Sequence, residues 1–248
     1  YMYALQQFQQ MILEGIYPDK FTYSTVIDAC ETLSEGMFMH AHIINTLFDS
    51  HVVVATGLIN MYSKNGCIRS GRWVFDNMVS RDVIAWNTII SGYMEVNECG
   101  KVLELFSRMQ EEGFTPDSAA YMNIVKACKV TVALDAGKRI SSVIEYTESN
   151  VEVALLEMYG KCGSMYDARK LFDSLSQKPL LAWNALIVGF AIQGETKVVL
   201  LLLEGMIESG IWPDGETFTS FLIVCAHACM LVESLICFEM MMAKFNII

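Results

Sequence analysis

The chain has little proline, little positive charge and no long apolar run, and each scarcity excludes something. Four prolines in 248 residues, with 53% apolar composition, are far from the make-up of a disordered chain. Lys and Arg number 17 against 28 Asp and Glu, a net charge of −11. Taken alone, that balance argues against general phosphate binding, which depends on clustered cations. No stretch reaches the roughly 18 to 20 apolar residues that a membrane span needs. The nearest candidate, between Glu216 and Glu233, is interrupted by Thr217, Thr219, Ser220 and His227, so no membrane is expected as a partner. None of the eight cysteines forms a Cys-x-x-Cys pair. Cys30, Cys128 and Cys225 recur at one equivalent place, and Cys67 and Cys162 flank equivalent glycines. That pattern fits helix-packing positions in a reducing compartment better than a disulfide framework. His40 and His42 face different ways on a helix, and Cys225 and Cys229 are too few for a zinc site. No metal, cofactor or catalytic constellation is expected.

What the chain does have is a copy of itself. Trp86-Asn87 returns as Trp183-Asn184, a shift of 97 residues. At the same shift, Met61-Tyr62-x-Lys64-x-Gly66 returns as Met158-Tyr159-x-Lys161-x-Gly163, and Phe75-Asp76 as Phe172-Asp173. Gly113 to Asp117 returns as Gly210 to Asp214, both closing on Pro-Asp. A fixed period of this kind marks a repeat architecture.

Smaller units lie within the period. Trp86, Ile89, Ile90 and Tyr93 fall on one helical face; Val102, Leu105, Phe106 and Met109 fall on a second. The segment from Glu95 to Gly100 separates them. Gly113 stops the second helix and Pro116 prevents its continuation. The copy places Trp183, Leu186, Ile187 and Phe190 on one face and Val199, Leu202, Leu203 and Met206 on the next. Each unit is a helical hairpin that cannot bury both faces alone, so neighbours must stack. The expected fold is all-α, a right-handed superhelical solenoid of helix-turn-helix repeats. The expected units are 1–19, 20–51, 52–82, 83–117, 118–148, 149–179, 180–214 and 215–248. The first is partial, and the chain begins and ends inside helices, so it reads as a fragment. Met240-Met241-Met242 reads as core or as a partner-facing patch.

Val83-Ile84-Ala85-Trp86-Asn87-Thr88-Ile89-Ile90-Ser91-Gly92-Tyr93, closing on Gly-x-x-Pro-Asp, resembles the pentatricopeptide repeat. Met158 to Ser164, followed by Ala168-Arg169-Lys170-Leu171-Phe172-Asp173, resembles the short S-type unit of its plant PLS subclass. Cys225-Ala226-His227-Ala228 resembles the final long L-type unit of such arrays. By this resemblance 1–19, 83–117 and 180–214 are P-type, 20–51, 118–148 and 215–248 L-type, and 52–82 and 149–179 S-type. The two complete L-type units are a few residues shorter than the norm, through trimmed loops or missing residues.

The resemblance implies single-stranded RNA as partner, about one base per unit. The fifth residue of a unit and its last residue then form the base-reading pair. An amide offers donor and acceptor, a carboxylate only accepts, and together they can match a base edge. The pairs are Asn87 with Asp117 and Asn184 with Asp214, which favour uracil, and Thr56 with Asp82, which favours guanine. Ser24 with His51, Met122 with Glu148, and Val153 with Pro179 match no such pair. The implied site is any–G–U–any–any–U–any, read 5′ to 3′. The second position packs on base faces, here Val53, Ile84 and Leu181. The thirteenth places Lys64 and Lys161 near phosphate. The same asparagines and aspartates are also ordinary cap and turn residues.

The family's editing members can carry a cytidine deaminase with His-x-Glu and Pro-Cys-x-x-Cys motifs, and this chain has neither. The resemblance therefore implies no enzyme here but a site-recognition factor for C-to-U RNA editing in a mitochondrion or chloroplast. The deaminase would be supplied beyond Ile248 or in trans. Two other readings stand beside it: RNA processing, splicing, stability or translation in the same organelles, with processing proteins as partners, or a helical protein-binding scaffold such as a structural subunit of an organelle ribosome.

Overall fold

The structure, a computed structural model, describes residues 2–143 and 149–227. Glu148, Cys229 and the Met240–Met242 run lie outside the described residues. All regular structure among the described residues is α-helical: α1 (Met2–Leu13), α2 (Lys20–Asp28), α3 (Leu33–Asn45), α4 (Val52–Lys64), α5 (Ile68–Asn77), α6 (Val83–Glu95), α7 (Cys99–Glu111), α8 (Ser118–Thr131), α9 (Leu134–Val143), α10 (Ser149–Lys161), α11 (Met165–Ser174), α12 (Leu180–Ile192), α13 (Thr196–Glu208) and α14 (Gly215–His227). No helix among the described residues is long and apolar enough to cross a membrane. The chain divides into two compact units, Tyr1–Ala127 and Cys128–Ile248, with the boundary inside α8.

In the first unit, α6 buries Trp86, Ile89, Ile90 and Tyr93, and α7 buries Val102, Leu105, Phe106 and Met109. These are the two faces read from the sequence. Trp86 meets Phe75 of α5 edge to face, with ring centroids 4.7 Å apart at 73°. This contact ties one hairpin to the one before it. First helices pack on first helices, α2 on α4 and α4 on α6.

The second unit repeats the plan. Trp183 of α12 meets Phe172 of α11 at the same 4.7 Å and 73°. Here α10 packs on α12, and α12 on α14. The α10–α12 approach is close because glycine faces glycine: a Cβ on Gly189 would stand 3.3 Å from the Cα of Gly160. Phe190 and Leu203 are only half-buried, so each copied face is narrower than its apolar pattern suggested.

The hairpin ends follow the sequence signals. Gly113 has φ 82°; the Phe114 N–H returns to the Met109 carbonyl at 3.0 Å and the Gly113 N–H to Gln110 at 3.0 Å. This is a Schellman closure, which satisfies carbonyls left over at the helix end. Turns inside the hairpins use the left-handed region at Gly66, Gly163 and Gly194. Asn97 (φ 58°) and Val132 (φ 55°) adopt it as well. Asparagine tolerates that region, but a β-branched valine is strained there. The shortening of the first long unit falls within a helix: α2 has 9 residues where α4, α6, α10, α12 and α14 each have 13.

The second helices differ in surface chemistry. On α7, Arg108 pairs with Glu112 at 2.8 Å and reaches Asp76 of α5, which also holds Arg72 at 2.7 Å. Arg108 stands 5.7 Å above the Trp86 ring. At the equivalent place α13 has Gly205, next to Trp183, with Leu201 and Ser209 in place of Glu104 and Glu112. Leu201 is exposed.

Candidate nucleic-acid interface

Each proposed reading pair joins a first helix to the start of the following one. Asp82 is the N-cap of α6, and its Oδ1 accepts the Ala85 N–H at 2.8 Å. Asp117 stands just before α8, where its Oδ1 accepts the Ala120 N–H at 3.0 Å. Asp214 does the same for α14, accepting from the Thr217 N–H at 3.0 Å. The carboxylates expected to read a base are therefore also the caps of the following helices.

At Asp117 the division is clean. Oδ1 caps, and Oδ2 accepts from Asn87 Nδ2 at 2.7 Å. The Asn87 side-chain carbonyl Oδ1 is buried and has no hydrogen-bond partner. A buried acceptor left unmatched is uncommon, and a donor from outside would reach it only if the side chain turned outward. Ile84, one helical turn earlier on α6, is 65% exposed despite its apolar side chain.

The copy in the second unit is arranged differently. Asn184 is 2% exposed. Its Nδ2 donates to Asp214 Oδ1 at 3.1 Å and toward Glu216 Oε2 at 3.5 Å. Its Oδ1 accepts from the Thr217 hydroxyl at 2.6 Å. Burial alone would raise the Asp214 carboxyl, but hydrogen bonds from the backbone N–H of Thr217 and from Asn184 outweigh it and hold the group below the usual carboxylate range.

No hydrogen bond joins Thr56 to Asp82; the Thr56 hydroxyl instead returns to the Val52 carbonyl at 2.8 Å. Val53 and Leu181 are exposed, like Ile84, and Lys64 and Lys161 are exposed at the ends of α4 and α10. In the second unit the structure brings Lys161, Leu181 and Asn184 together around one small cleft of about 170 Å³. Lys129, Glu157 and Glu216 complete its wall, and Lys129 is bound to Glu157 at 2.6 Å. Val153 is buried, and Pro179 stands at the N-cap of α12 with no side-chain cap. A larger apolar groove of about 640 Å³ lies on the second-helix side of the first unit, lined by Phe8, Ile12, Phe38, Met39 and His42. Among the described residues no group of three His, Cys, Asp or Glu side chains converges as a metal site.

Sequence reasoning passed over Glu216, Thr217 and Lys129. A signal existed for Thr217: Asp-x-x-Thr is a reciprocal capping spacing, and the Thr217 hydroxyl accepts the Asp214 N–H at 3.1 Å. The equivalent residues after Asp117 are Ala119 and Ala120.

The sequence model of the PPR repeat family matches residues 81–129, and that of the PPR repeat matches 53–83, 153–179 and 181–211. Among curated proteins, a pentatricopeptide repeat-containing protein of Arabidopsis thaliana is 36% identical over 237 residues, covering 91% of this chain and 34% of the relative. A mitochondrial one from the same plant is 32% identical over 246 residues, 98% of this chain and 39% of the relative. A chloroplastic one is 34% identical over 232 residues, 90% of this chain and 31% of the relative. The chain thus spans about a third of the length of these relatives. Among solved structures, the pentatricopeptide repeat protein PPR10 in complex with an 18-nt psaJ RNA element is similar at 14% identity and a TM-score of 0.48, over 97% of this chain and 47% of that one.

Proposed function

From the premise that this chain belongs to the pentatricopeptide repeat family, we propose that it binds single-stranded RNA in a mitochondrion or chloroplast, one base per unit. The observation that carries the reading is the Asn87–Asp117 pair. Its carboxylate is oriented by the helix it caps, its amide is oriented by the carboxylate, and the amide carbonyl is left unmatched. A base edge that offers a donor, such as the uracil N–H, would satisfy that carbonyl once the side chain turns it outward. Exposed Val53, Ile84 and Leu181 offer apolar contact to base faces, which supports stacking. Lys64 and Lys161 are in no ion pair among the described residues and can meet phosphate. Asp82 with Thr56, and Asp214 with Asn184, are the other two reading pairs. Relatives named mitochondrial and chloroplastic support the compartment.

The alternation of long, short and full units supports a PLS-type array, and with it a site-recognition factor for C-to-U editing that places a deaminase supplied elsewhere. The test of binding is selection of a randomised single-stranded RNA pool on the folded chain at stated salt. Enrichment of a G-U element is expected, with the U read at Asn87–Asp117 enriched more strongly than any U three positions further 3′; a folded chain that enriches no sequence would remove the reading. The test of editing is the organelle transcriptome of a plant lacking the protein. Loss of one C-to-U conversion 3′ of such an element is expected, and unchanged editing would point to RNA processing instead.

A protein-binding scaffold is the second reading. Net charge −11 favours it, as do the exposed Phe38, Trp73, Tyr166 and Leu201 on second helices.

A further inference from the structure

Resting on that reading, we infer that the two Asn–Asp pairs are not equivalent readers, and that Thr217 and Glu216 are specificity-determining residues that close the second one. Both pairs have the same sequence at their reading positions. What differs is the neighbour that each amide finds.

Asn184 has both amide protons directed at carboxylates and its carbonyl oxygen engaged by one donor. The two carboxylates of Asp214 and Glu216 face one side of its amide, at 3.1 and 3.5 Å. Only an NH₂ group is compatible with that side, so the carbonyl must point to Thr217, and the amide orientation is fixed by chemistry. A hydroxyl has one proton to give. The Thr217 oxygen lies 2.6 Å from Asn184 Oδ1 and 2.9 Å from Asp214 Oδ1. If the proton went to Asp214, two lone pairs would meet at the shorter distance, so it goes to Asn184. Thr217 is fully buried, so water does not compete for this bond. The acceptor that Asn87 leaves unmatched is therefore already engaged at Asn184.

Glu216 adds a second effect. It lines the same cleft as Leu181 and Lys161, and so places a carboxylate where a base and its phosphate would enter. In the first unit Ala119 and Ala120 stand at these two places, and neither can fill the acceptor or repel the ligand. The first pair reads; the second admits a nucleotide with little preference until Thr217 yields.

The experiment uses the 248-residue chain and the RNA element A-G-U-A-A-U-A. Affinity is measured after changing either U to C. In the unaltered chain the change at the first U is expected to weaken binding about tenfold, the scale of one lost base contact. The change at the second U should weaken it less than about twofold on the same scale. Glu216→Val with Thr217→Val should bring the second penalty up to the first and leave the first unchanged. Ala120→Thr should lower the first penalty. Side-chain amide exchange by NMR reads the lock without RNA: Asn184 should exchange more slowly than Asn87, and Thr217→Val should remove the difference. Equal penalties at both bases in the unaltered chain, or equal amide exchange, would overturn the inference while the RNA-binding reading survives. A folded chain that binds no RNA, with Asn184 still protected, would instead remove the RNA-binding reading and, with it, any role for the lock in specificity.

Discussion

The hairpin at 83–117 and its copy at 180–214 share a core and differ in surface. Their Phe–Trp contacts agree in distance and angle. Around that shared core, the first carries ion pairs on its second helix and an unmatched amide carbonyl; the second carries leucine and glycine there and an amide carbonyl held by Thr217. The lesson is that packing dictates the repeat and single polar substitutions individualise it. A core position must satisfy neighbours on all sides, whereas a position at the helix start needs only one partner.

The largest effect expected tests the shared half of the comparison. Trp86→Ala and Trp183→Ala should each cost about 3–5 kcal/mol of stability, as removal of a buried aromatic ring does. Trp86 should cost slightly more, by about 0.5–1 kcal/mol, because Arg108 stands over its ring. Urea unfolding of the two variants measures both. A large inequality would break the claim that the cores are equivalent.

Next in size is RNA affinity. Asn87→Ala should lower affinity for the matched RNA by about 1–3 kcal/mol, and by much less for an RNA already changed at that base. Asn184→Ala should move affinity little and instead destabilise the protein, because it leaves Thr217 and Asp214 without their amide partner. Titration and thermal unfolding of the two variants separate the outcomes. Equal loss of affinity would erase the distinction between the pairs.

Backbone differences come third. Gly205→Ala should stabilise by about 0.5–1 kcal/mol, since alanine is the better helix former. The new Cβ would sit 3.5 Å from the Trp183 ring, an ordinary contact. Val132→Gly should stabilise by about 1 kcal/mol by relieving a left-handed valine. Destabilisation by either change would show that the site is already packed tight.

The smallest effect is protonic. Because the Asp214 carboxyl is held below its unfolded value, its contribution to stability is present above the ordinary carboxylate range and is lost as pH falls through the depressed value. Carboxyl NMR titration should place Asp214 below an ordinary aspartate, and Asn184→Ala, which removes a donor to it, should move it back up. A normal midpoint in the unaltered chain would contradict the network.

The helical faces were legible in the sequence because their spacing is local: Trp86, Ile89, Ile90 and Tyr93 declare a face within two turns. The caps were legible for the same reason where Pro18-Asp19, Pro116-Asp117 and Pro213-Asp214 stand just before a helix. The helix-breaking signals did not show that α2 would be cut to 9 residues. Nor did anything in its own side chain mark Val132 for the left-handed region, where its place in the repeat puts it beside Gly66 and Gly163. The locked amide was the least legible feature. Thr217 and Asn184 are 33 residues apart, and the consequence of threonine for alanine emerges only when the cap of one helix is seen to touch the fifth residue of another.

The aspartates that close each unit belong mechanically to the next. Wherever the closing side chain is an aspartate it holds the following helix, and where it is His51 or Pro179 no side chain caps. Those are also the places where no reading pair was found. On the proposed reading, a mutation at this position is therefore judged twice, once by the nucleic acid and once by the neighbouring hairpin. Residues that can hold a helix start, Asp, Asn, Ser and Thr, keep that joint capped, whereas exchange of an aspartate for a residue that cannot do so costs the following hairpin about 0.5–2 kcal/mol, so rewriting such an array carries a stability term that His51 and Pro179 show can be borne.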